Sequence, residues 1–367
     1  MTGEFQIVHG EVETVLSTLP DNIFDGVFCD PPYGLSFMGK KWDYQVPTAS
    51  LWAQVLRVCK PGAALLAFGG TRTYHRMVVQ IEDAGWEIRD QLAWMYGSGF
   101  PKSLSLPGGY GTALKPAYEP ICLARKPLEG TVEGNLARWG CGILDIERCR
   151  IGTEVLPEAT AGQARVGTFE RGVMVTPERV GRWPANVLMD EEAGQILDAQ
   201  SGNRPGMSGG GKHKAGYEGS MFGGPDCGLV RPADNGGASR FFYSAKASRK
   251  ERDLGCEDLP PRTGGETTDR TDGSKGLDSP RAGAGRKGGA RNHHPTVKPL
   301  SLTEYLARLI MPGPGRNLLV PFSGSGSEVA GGLRAGWGSV LGIEMEADYI
   351  PIATRRIPAL VGLPHAG

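Results

Sequence analysis

Short apolar runs alternate with helix-like patterns at both ends of the chain, and this alternation limits the possible folds more than any other feature. Residues 24–30 and 63–70 have the composition of buried strands, whereas residues 50–60 and 74–85 have the apolar spacing of helices. Residues 301–357 repeat the same alternation. This order predicts an α/β fold, in which a mostly parallel sheet is covered by helices on both faces.

Composition divides the 367 residues into three regions. Residues 1–126 carry the first set of strands and helices, and residues 293–367 carry the second. Between them, residues 127–292 are rich in glycine and poor in large apolar residues, most of all from position 202 onward. This composition predicts long loops. Two islands in the middle region have structured patterns, at residues 181–190 and 238–252.

Charge and cysteine content restrict the class of protein. The 40 Lys and Arg balance the 40 Asp and Glu, so a nucleic-acid partner would require positive charge gathered at one surface. The seven cysteines are scattered without a CxxC pair, which favours reduced thiols over disulfides or a zinc site. No apolar run reaches about 18 residues and no secretory signal opens the chain, so we expect a cytoplasmic protein with no membrane span and no metal.

A glycine turn, VPFSGSGS at residues 320–327, follows a predicted buried strand and precedes a helix. At Gly324 and Gly326 the missing Cβ would let a ligand lie over the strand end, although such turns also join strands to helices without a ligand. Glu344 ends the next predicted strand, where an acid often holds ribose hydroxyls, and the alternative is a solvated carboxylate. Together these features favour a ribose-bearing cofactor, and the absence of a Walker lysine disfavours ATP hydrolysis.

The stretch DPPY, Asp30 to Tyr33, also follows a predicted strand. The adjacent Pro31 and Pro32 end that strand and fix the direction of the corner. A carboxylate and a backbone carbonyl at this edge can accept both hydrogens of an amino group, which frees the nitrogen lone pair for attack. Tyr33 offers a stacking face for a flipped base. The alternative is an ordinary tight turn with a capping Asp.

Basic residues gather near aromatic ones in the middle region. Such mixtures suit phosphate contact and base stacking, whereas the alternative is a solvated face beside a small core, the interpretation we favour for Phe241 and Phe242 themselves. His293 and His294 resemble a metal pair, but no further ligand set is evident. The residues predicted to contact DNA are Arg240, Lys246, Arg249, Lys250, Arg286, Lys287 and Arg291, with Arg252 and Arg281 nearby.

Three ordered motifs, DPPYG, FSGSG and NHHPTVKPL, resemble those of the amino-methyltransferases, which transfer a methyl group from S-adenosylmethionine to adenine N6 or cytosine N4 in DNA. The order of the motifs matches the β group of these enzymes. Further stretches resemble the phage and prophage branch: FMGKKWD, YGSGFPKS, GTALKPAYEPI, GRWPANVLMD and ASRFFYSAKAS. The resemblance implies a Rossmann-like class I methyltransferase fold with permuted motif order and a recognition region inserted at 127–292. It places the protein in a bacterial or phage-infected cell.

The resemblance also implies roles for single residues. Asp30, Pro31, Pro32 and Tyr33 would hold and activate the target amine. The residues implied to bind the cofactor are Asp30, Thr296, Lys298, Pro299, Phe322, Ser323, Gly324, Ser325, Gly326, Ser327 and Glu344. Two positions depart from the family pattern, because Val320 replaces an acid that lies near the cofactor's amino group and Ser327 replaces a threonine. Asp30 is one acid that could compensate for Val320.

The predicted function is methylation of a base flipped out of double-stranded DNA, with adenine N6 favoured because Asp rather than Ser opens the DPPY motif. Cytosine N4 is the alternative. A cytosine-C5 enzyme is excluded, since none of the cysteines follows a proline. Protein or RNA amines are disfavoured by Asp30 and by the permuted order. A binding protein that has lost activity stays open because of Val320, and a homodimer stays open as the assembly.

Overall fold

A single large sheet forms the centre of the part of the chain that the structure describes. The structure is a computed structural model that describes residues 3–35, 41–99, 104, 106–156, 178–205, 235–245, 251–262 and 289–362, with short segments between 159 and 176. The strands of this sheet are β1 Glu4–His9, β2 Phe24–Cys29, β3 Cys59–Phe68, β4 Glu87–Met95, β5 Tyr118–Arg125, β6 Val187–Asp190, β7 Tyr243–Ala245, β8 Asn317–Val320 and β9 Ser339–Glu344.

The strand order is β1-β9-β8-β2-β3-β5-β4-β6-β7. Every neighbouring pair is parallel except the two pairs of β5, which runs antiparallel to both β3 and β4. In the centre, β8 lies directly beside β2, with Leu318 opposite Gly26 and Leu319 opposite Val27. The strand before DPPY and the strand before the glycine turn therefore end side by side at one edge of the sheet, which confirms the predicted mostly parallel α/β fold.

Helices cover both faces of the sheet. One buried cluster packs the helices of the C-terminal region around Phe28 and Trp337, and the other packs the first three helices around Val27 and Trp52. Thr48, Thr131 and Asp190 cap the helices that follow them by accepting a backbone N–H. The helices are α1 Val12–Ser17, α2 Ala49–Val58, α3 Tyr74–Asp83, α4 Val132–Trp139, α5 Glu191–Ser201, α6 Leu300–Leu309, α7 Ser327–Ala335 and α8 Ile350–Val361.

Shorter elements complete the described chain. No helix within the described ranges is long and apolar enough to cross a bilayer. The 3-10 turns are Lys41–Asp43, Pro107–Gly109, Glu147–Cys149, Ala238–Phe241 and Ala347–Tyr349. The two-stranded pairs are Ile151–Leu156 with Arg179–Arg182, Ala159–Ala161 with Met174–Thr176, Arg165–Val166 with Phe169–Glu170, and Arg204–Pro205 with Asn235–Gly236.

The start of β3 differs from the sequence-based expectation. We predicted a strand from residue 63, but β3 begins at Cys59 directly after α2 and contains Pro61 and Gly62. The register between β2 and β3 shifts in this stretch, between Phe24 and Gly26. Proline is tolerated at such irregularities because it interrupts no regular ladder hydrogen bond. The expected strand therefore exists and starts four residues earlier.

The middle region contributes to the main sheet. The island at 181–190 supplies β6, which pairs in parallel with β4. The island at 238–252 supplies β7, which pairs in parallel with β6. The two outermost strands on this side thus come from the region predicted to be an insertion, while its boundaries at 127 and 292 stay a prediction.

A substitution at Gly26 tests the packing of the central strands. A Cβ at Gly26 would lie 2.7 Å from the Trp337 ring. That ring is fully enclosed, and its N–H donates to the Ala307 carbonyl oxygen at 3.0 Å. We expect Gly26→Ala to lower the free energy of unfolding by about 1–3 kcal/mol through overpacking, measured by urea denaturation. The loss should shrink in a Trp337→Leu background, and an equal loss in both backgrounds would contradict this explanation.

Candidate active site

The DPPY corner is held by a carboxylate that follows it in the chain. Asp43 Oδ1 accepts the backbone N–H groups of Tyr33 at 2.6 Å and Gly34 at 2.9 Å, and Oδ2 accepts that of Leu35 at 3.3 Å. Asp43 is 2% exposed, so these hydrogen bonds form away from water and gain strength from the charge. The two prolines end β2, and Asp43 then fixes the chain that leaves the corner.

A buried ion network joins this corner to the C-terminal region. Lys298 Nζ lies 2.9 Å from Asp30 Oδ2 and 3.0 Å from Glu119 Oε2. The Tyr33 hydroxyl donates to Asp30 Oδ1 at 2.7 Å and lies 3.3 Å from Lys298 Nζ. Asp30 follows β2, Glu119 lies in β5 and Lys298 precedes α6. Three elements that are distant in sequence therefore meet at these charges.

Lys298 stays charged in this network. Its side chain is 5% exposed, and burial by itself would disfavour the ammonium. Burial is outweighed by the facing carboxylates of Asp30 and Glu119, which hold the pKa of Lys298 above its ordinary value. The Phe68 ring adds a favourable contact, with its centroid 4.5 Å from Nζ. A charged Lys298 thus neutralises part of the negative charge beyond the end of β2.

The glycine turn is organised by Glu344. Its Oε2 accepts the N–H of Gly324 at 2.7 Å, and its Oε1 accepts the N–H of Glu346 at 2.8 Å. Burial raises the pKa of Glu344, and these backbone hydrogen bonds oppose the rise. The carboxylate at the end of β9 therefore holds the turn beyond β8, whereas its predicted contact with a ribose stays a proposal.

The two key glycines have different neighbours. Gly324 has φ +48°, and a Cβ there would lie 2.7 Å from the His294 ring. Gly326 has φ +82°, and a Cβ there would lie 2.7 Å from Ile357. Both conformations favour glycine. The requirement at Gly326 thus comes from packing of α7 against α8, and this residue does not line the cavity described below.

Arg356 supports the same turn from α8. It is fully buried, and its Nη1 donates to the Ser325 carbonyl oxygen at 3.0 Å and to Ser327 Oγ at 2.9 Å. Burial lowers the pKa of Arg356 to about 10, so the guanidinium remains charged at neutral pH. This arginine restrains the backbone of the turn and the start of α7.

His294 lies against the glycine turn. Its Nδ1 is hydrogen-bonded to the Thr296 carbonyl oxygen, and burial lowers its pKa to about 4. The imidazole is therefore neutral at physiological pH. Across the described residues, no group of three or more His, Cys, Asp or Glu side chains is arranged to hold a metal ion.

One cavity of about 430 Å³ connects the DPPY corner with the glycine turn. Its volume lies in the range of small-molecule sites, about 300–1,000 Å³. Of the predicted cofactor residues, only Pro299 and Gly326 are absent from its walls. The predicted residues that line it are Asp30, Pro31, Pro32, Tyr33, Thr296, Lys298, Phe322, Ser323, Gly324, Ser325, Ser327 and Glu344.

Four charged residues of this site were not predicted. Asp43 and Glu119 lie in stretches quoted for the resemblance, KKWD and PAYEPI, and that location was their one sequence signal. Arg356 has no local signal, since its partners lie about thirty residues away. Glu328 directly follows the glycine turn and lines the cavity. Its position in the first turn of α7, one residue beyond the glycine motif, could have indicated it, but the motif itself ends at Ser327.

The predicted DNA contacts are described only in part. Arg240 donates to the Gly236 and Gly237 carbonyl oxygens, and Arg291 donates to the Leu259 carbonyl oxygen. Both guanidinium groups thus bind backbone within the protein, and their contact with DNA stays a prediction. The remaining predicted residues lie outside the described part of the chain: Lys246, Arg249, Lys250, Arg286 and Lys287, together with Arg281.

A lysine substitution tests the ion network. Lys298→Met leaves the Asp30 and Glu119 carboxylates together in a buried site without a cation. We expect the free energy of unfolding to fall by about 3–5 kcal/mol, measured by urea denaturation. As a matched control, Arg148→Met removes the more exposed ion pair with Asp145 and should cost less than about 1 kcal/mol.

A second variant distinguishes the loss of charge compensation from the loss of packing as the cause of the lower stability. Lys298→Met with Glu119→Gln removes one of the two stranded charges, so part of the lost stability should return. No recovery in the double variant, or a small loss in Lys298→Met alone, would contradict the description of this network as an ionic link.

The chain resembles a known protein family and, more distantly, several solved structures. A sequence profile of the N6/N4 methyltransferase family, described as DNA methylase, matches residues 24–355. The crystal structure of M1.HpyAVI aligns at 11% identity and TM-score 0.44, covering 96% of this chain and 98% of that one. The M1.HpyAVI–SAM complex aligns at 13% and 0.40, covering 96% and 98%.

The cytosine-N4-specific PvuII DNA methyltransferase aligns at 12% identity and TM-score 0.46, covering 97% of this chain and 87% of that one. These structural likenesses are distant, whereas the profile spans nearly all of the described elements, from the start of β2 into α8. The chain belongs to the N6/N4 DNA methylase family.

Proposed function

We propose that this DNA methylase transfers a methyl group from S-adenosylmethionine to the N6 amine of adenine in double-stranded DNA. The observation that carries the proposal is the position of Asp30. Its carboxylate lies at the wall of a cavity that also contains the glycine turn, and Lys298 and Tyr33 fix its orientation. An acceptor for the target amine and a candidate cofactor site therefore share one cavity.

The cavity fits the proposed methyl donor. S-adenosylmethionine would supply a methyl group made electrophilic by the positive charge on its sulfur. Gly324 brings bare backbone to the cavity wall, Phe322 and Tyr349 supply apolar surface, and Glu344 supplies a carboxylate at the end of β9. The walls thus combine negative charge with aromatic surface, which suits a cationic ligand that carries a nucleoside.

Asp30 and the rigid corner prepare the amine. Each carboxylate oxygen of Asp30 already has one partner, Tyr33 Oη on Oδ1 and Lys298 Nζ on Oδ2. Because each oxygen has two lone pairs, either can accept a further N–H from the base. A second N–H can reach a backbone carbonyl of the proline pair. Holding both hydrogens in this way draws the nitrogen lone pair out of conjugation with the ring and toward the methyl group.

The methyl group would pass directly from the cofactor to the amine, so the proposed reaction needs no covalent enzyme intermediate. The amine nitrogen forms a bond to the methyl carbon, and the carbon–sulfur bond breaks with its electron pair left on sulfur. The methylated nitrogen then releases one proton, which Asp30 can accept and pass to water. Lys298 next to this carboxylate offsets part of the charge that remains once the proton has left.

Tyr33 orients the base. Burial, together with the Asp30 and Glu119 carboxylates, raises the pKa of the Tyr33 phenol, so its hydroxyl stays protonated and donates to Asp30. Held at its hydroxyl end, the half-buried ring presents a face to the cavity. A base flipped from the duplex can stack on that face while its amine meets Asp30.

The identity of the methylated base tests the proposal. Expression of the wild-type chain in a methylation-free host, followed by sequencing that distinguishes N6-methyladenine from N4-methylcytosine, should show N6-methyladenine in one sequence context. Methylation at cytosine N4 would agree with methyl transfer to an exocyclic amine but would overturn the choice of adenine as the target base. Absence of any mark, with no calorimetric binding of S-adenosylmethionine, would instead support a protein that has lost activity.

Asp30→Ala tests the role of the corner. We expect this variant to lose at least about a hundredfold in the rate of methyl transfer to a purified duplex, because it no longer holds the amine. Asp83→Ala, which removes an exposed acid at the end of α3, is the matched control and should keep the wild-type rate. Full methyl transfer by a folded Asp30→Ala protein would remove the mechanism.

A further inference from the structure

Glu328 is a buried acid for which the mechanism above has no use. It lies in the first turn of α7, directly after the glycine turn, and is 4% exposed. Its side chain lines the same cavity as Asp30 and Gly324. Burying an ionised carboxylate is costly unless a partner compensates it, so the position of this residue requires an explanation.

Four other acids that line the cavity are compensated within the protein. Asp30 and Glu119 share the Lys298 ammonium. Both oxygens of Glu344 accept backbone N–H groups, and so do both oxygens of Asp43. Each of these carboxylates therefore has a cation or backbone N–H groups from the fold itself as partners.

Glu328 has no such cation. Among the described residues, no Lys or Arg forms an ion pair with its carboxylate, and the one hydrogen bond that stabilises the ionised form comes from its own backbone N–H. Burial and the nearby Asp30 charge raise the pKa of Glu328 to about 7. Lys298 and Arg356 oppose this rise from a greater distance. The carboxylate thus faces the cavity with its charge poorly compensated.

Residue 320, which precedes the glycine turn, supplies no charge to the cavity. Val320 ends β8 within the buried apolar cluster and does not line the cavity. An acid on the opposite side of the same turn, at Glu328, does reach it. Of the two elements joined by the turn, the helix that follows it therefore supplies a carboxylate to the cavity, and the strand that precedes it does not.

We propose that the Glu328 carboxylate binds the α-ammonium group of the methionine part of S-adenosylmethionine. This proposal rests on the proposed function. An ammonium presents N–H donors, which a carboxylate binds with short, charge-assisted hydrogen bonds, whereas a sulfonium has no hydrogen to donate. The ammonium of the bound ligand would then be the ion-pair partner that Glu328 lacks among the described residues of the protein.

Three ligands distinguish the contribution of the ammonium from that of the sulfonium, the two positively charged groups of the cofactor. S-adenosylmethionine carries the ammonium and the sulfonium, S-adenosylhomocysteine carries only the ammonium, and 5′-methylthioadenosine carries neither. Calorimetric titration of the wild-type protein and of Glu328→Gln gives a dissociation constant for each ligand. Glu82→Gln, at an exposed position on α3, is the matched control.

We expect Glu328→Gln to weaken S-adenosylmethionine and S-adenosylhomocysteine equally, by about ten- to a hundredfold, and to leave 5′-methylthioadenosine unchanged. A loss confined to S-adenosylmethionine would place the sulfonium at Glu328 and overturn the proposal. An unchanged dissociation constant for all three ligands would also overturn it. Failure of the wild-type protein to bind any of them would instead contradict the proposed function.

Affinity should depend on pH in a defined direction. Glu328 must be ionised to bind an ammonium, so wild-type affinity for S-adenosylhomocysteine should rise as pH increases from 6 through about 7. The charged groups that face Glu328 are Asp30, Lys298 and Arg356, and His294 stays neutral in this window because of its low pKa. Glu328→Gln should flatten the rise, and the same slope in both proteins would contradict the assignment.

Stability of the free protein provides a readout that is independent of ligand. A pKa raised from 4.5 to about 7 means that the folded state binds the Glu328 proton more tightly than the unfolded chain does. The stabilising effect of this proton is present at low pH and is lost as pH rises through about 7. Without ligand, Glu328→Gln should therefore melt higher than wild type at pH 8, and the difference should shrink toward pH 5. A variant that melts lower than wild type at pH 8 would contradict an uncompensated charge.

Discussion

The ion pairs of Lys298 with Asp30 and Glu119 are the interaction on which the rest of the site depends. Lys298 belongs to the segment before α6. The two carboxylates that pair with it, those of Asp30 after β2 and Glu119 in β5, lie more than 170 residues earlier in the chain. Buried charges of this kind are stable only when the geometry is good and every partner is present. The network therefore requires the N-terminal and C-terminal parts of the sheet to be assembled before the DPPY corner has its final form.

Much of the fold and the location of the site follow from local patterns. Apolar runs indicated β2 and β8, and the order of strands and helices indicated a parallel sheet, whose neighbouring strands end at one edge. The turn residues after those strands, DPPY and SGSG, then had to lie close together. The edge strand β1 was not predicted because its residues alternate between half-buried and exposed, so its apolar signal is weak.

The contacts inside the site were less predictable, because they join residues that are far apart in sequence. Glu119, Arg356 and Glu328 acquire their environments only when β5, α8 and α7 pack around the cavity. Glu344 illustrates the same limit: its place at a strand end was predicted, but its hydrogen bonds to the glycine turn depend on a register that composition does not encode. Among the predicted DNA contacts, those within the described residues bind backbone carbonyl groups.

We propose that the DPPY corner and the glycine turn form a single methyl-transfer site held together by Lys298. A crystal structure of the protein with S-adenosylhomocysteine would show whether they do. We expect the homocysteine sulfur in the cavity between Gly324 and Asp30, the amino group at Glu328, and Lys298 still bound to Asp30. A cofactor bound outside this cavity, or a Lys298 that has released Asp30 to bind the ligand, would contradict it.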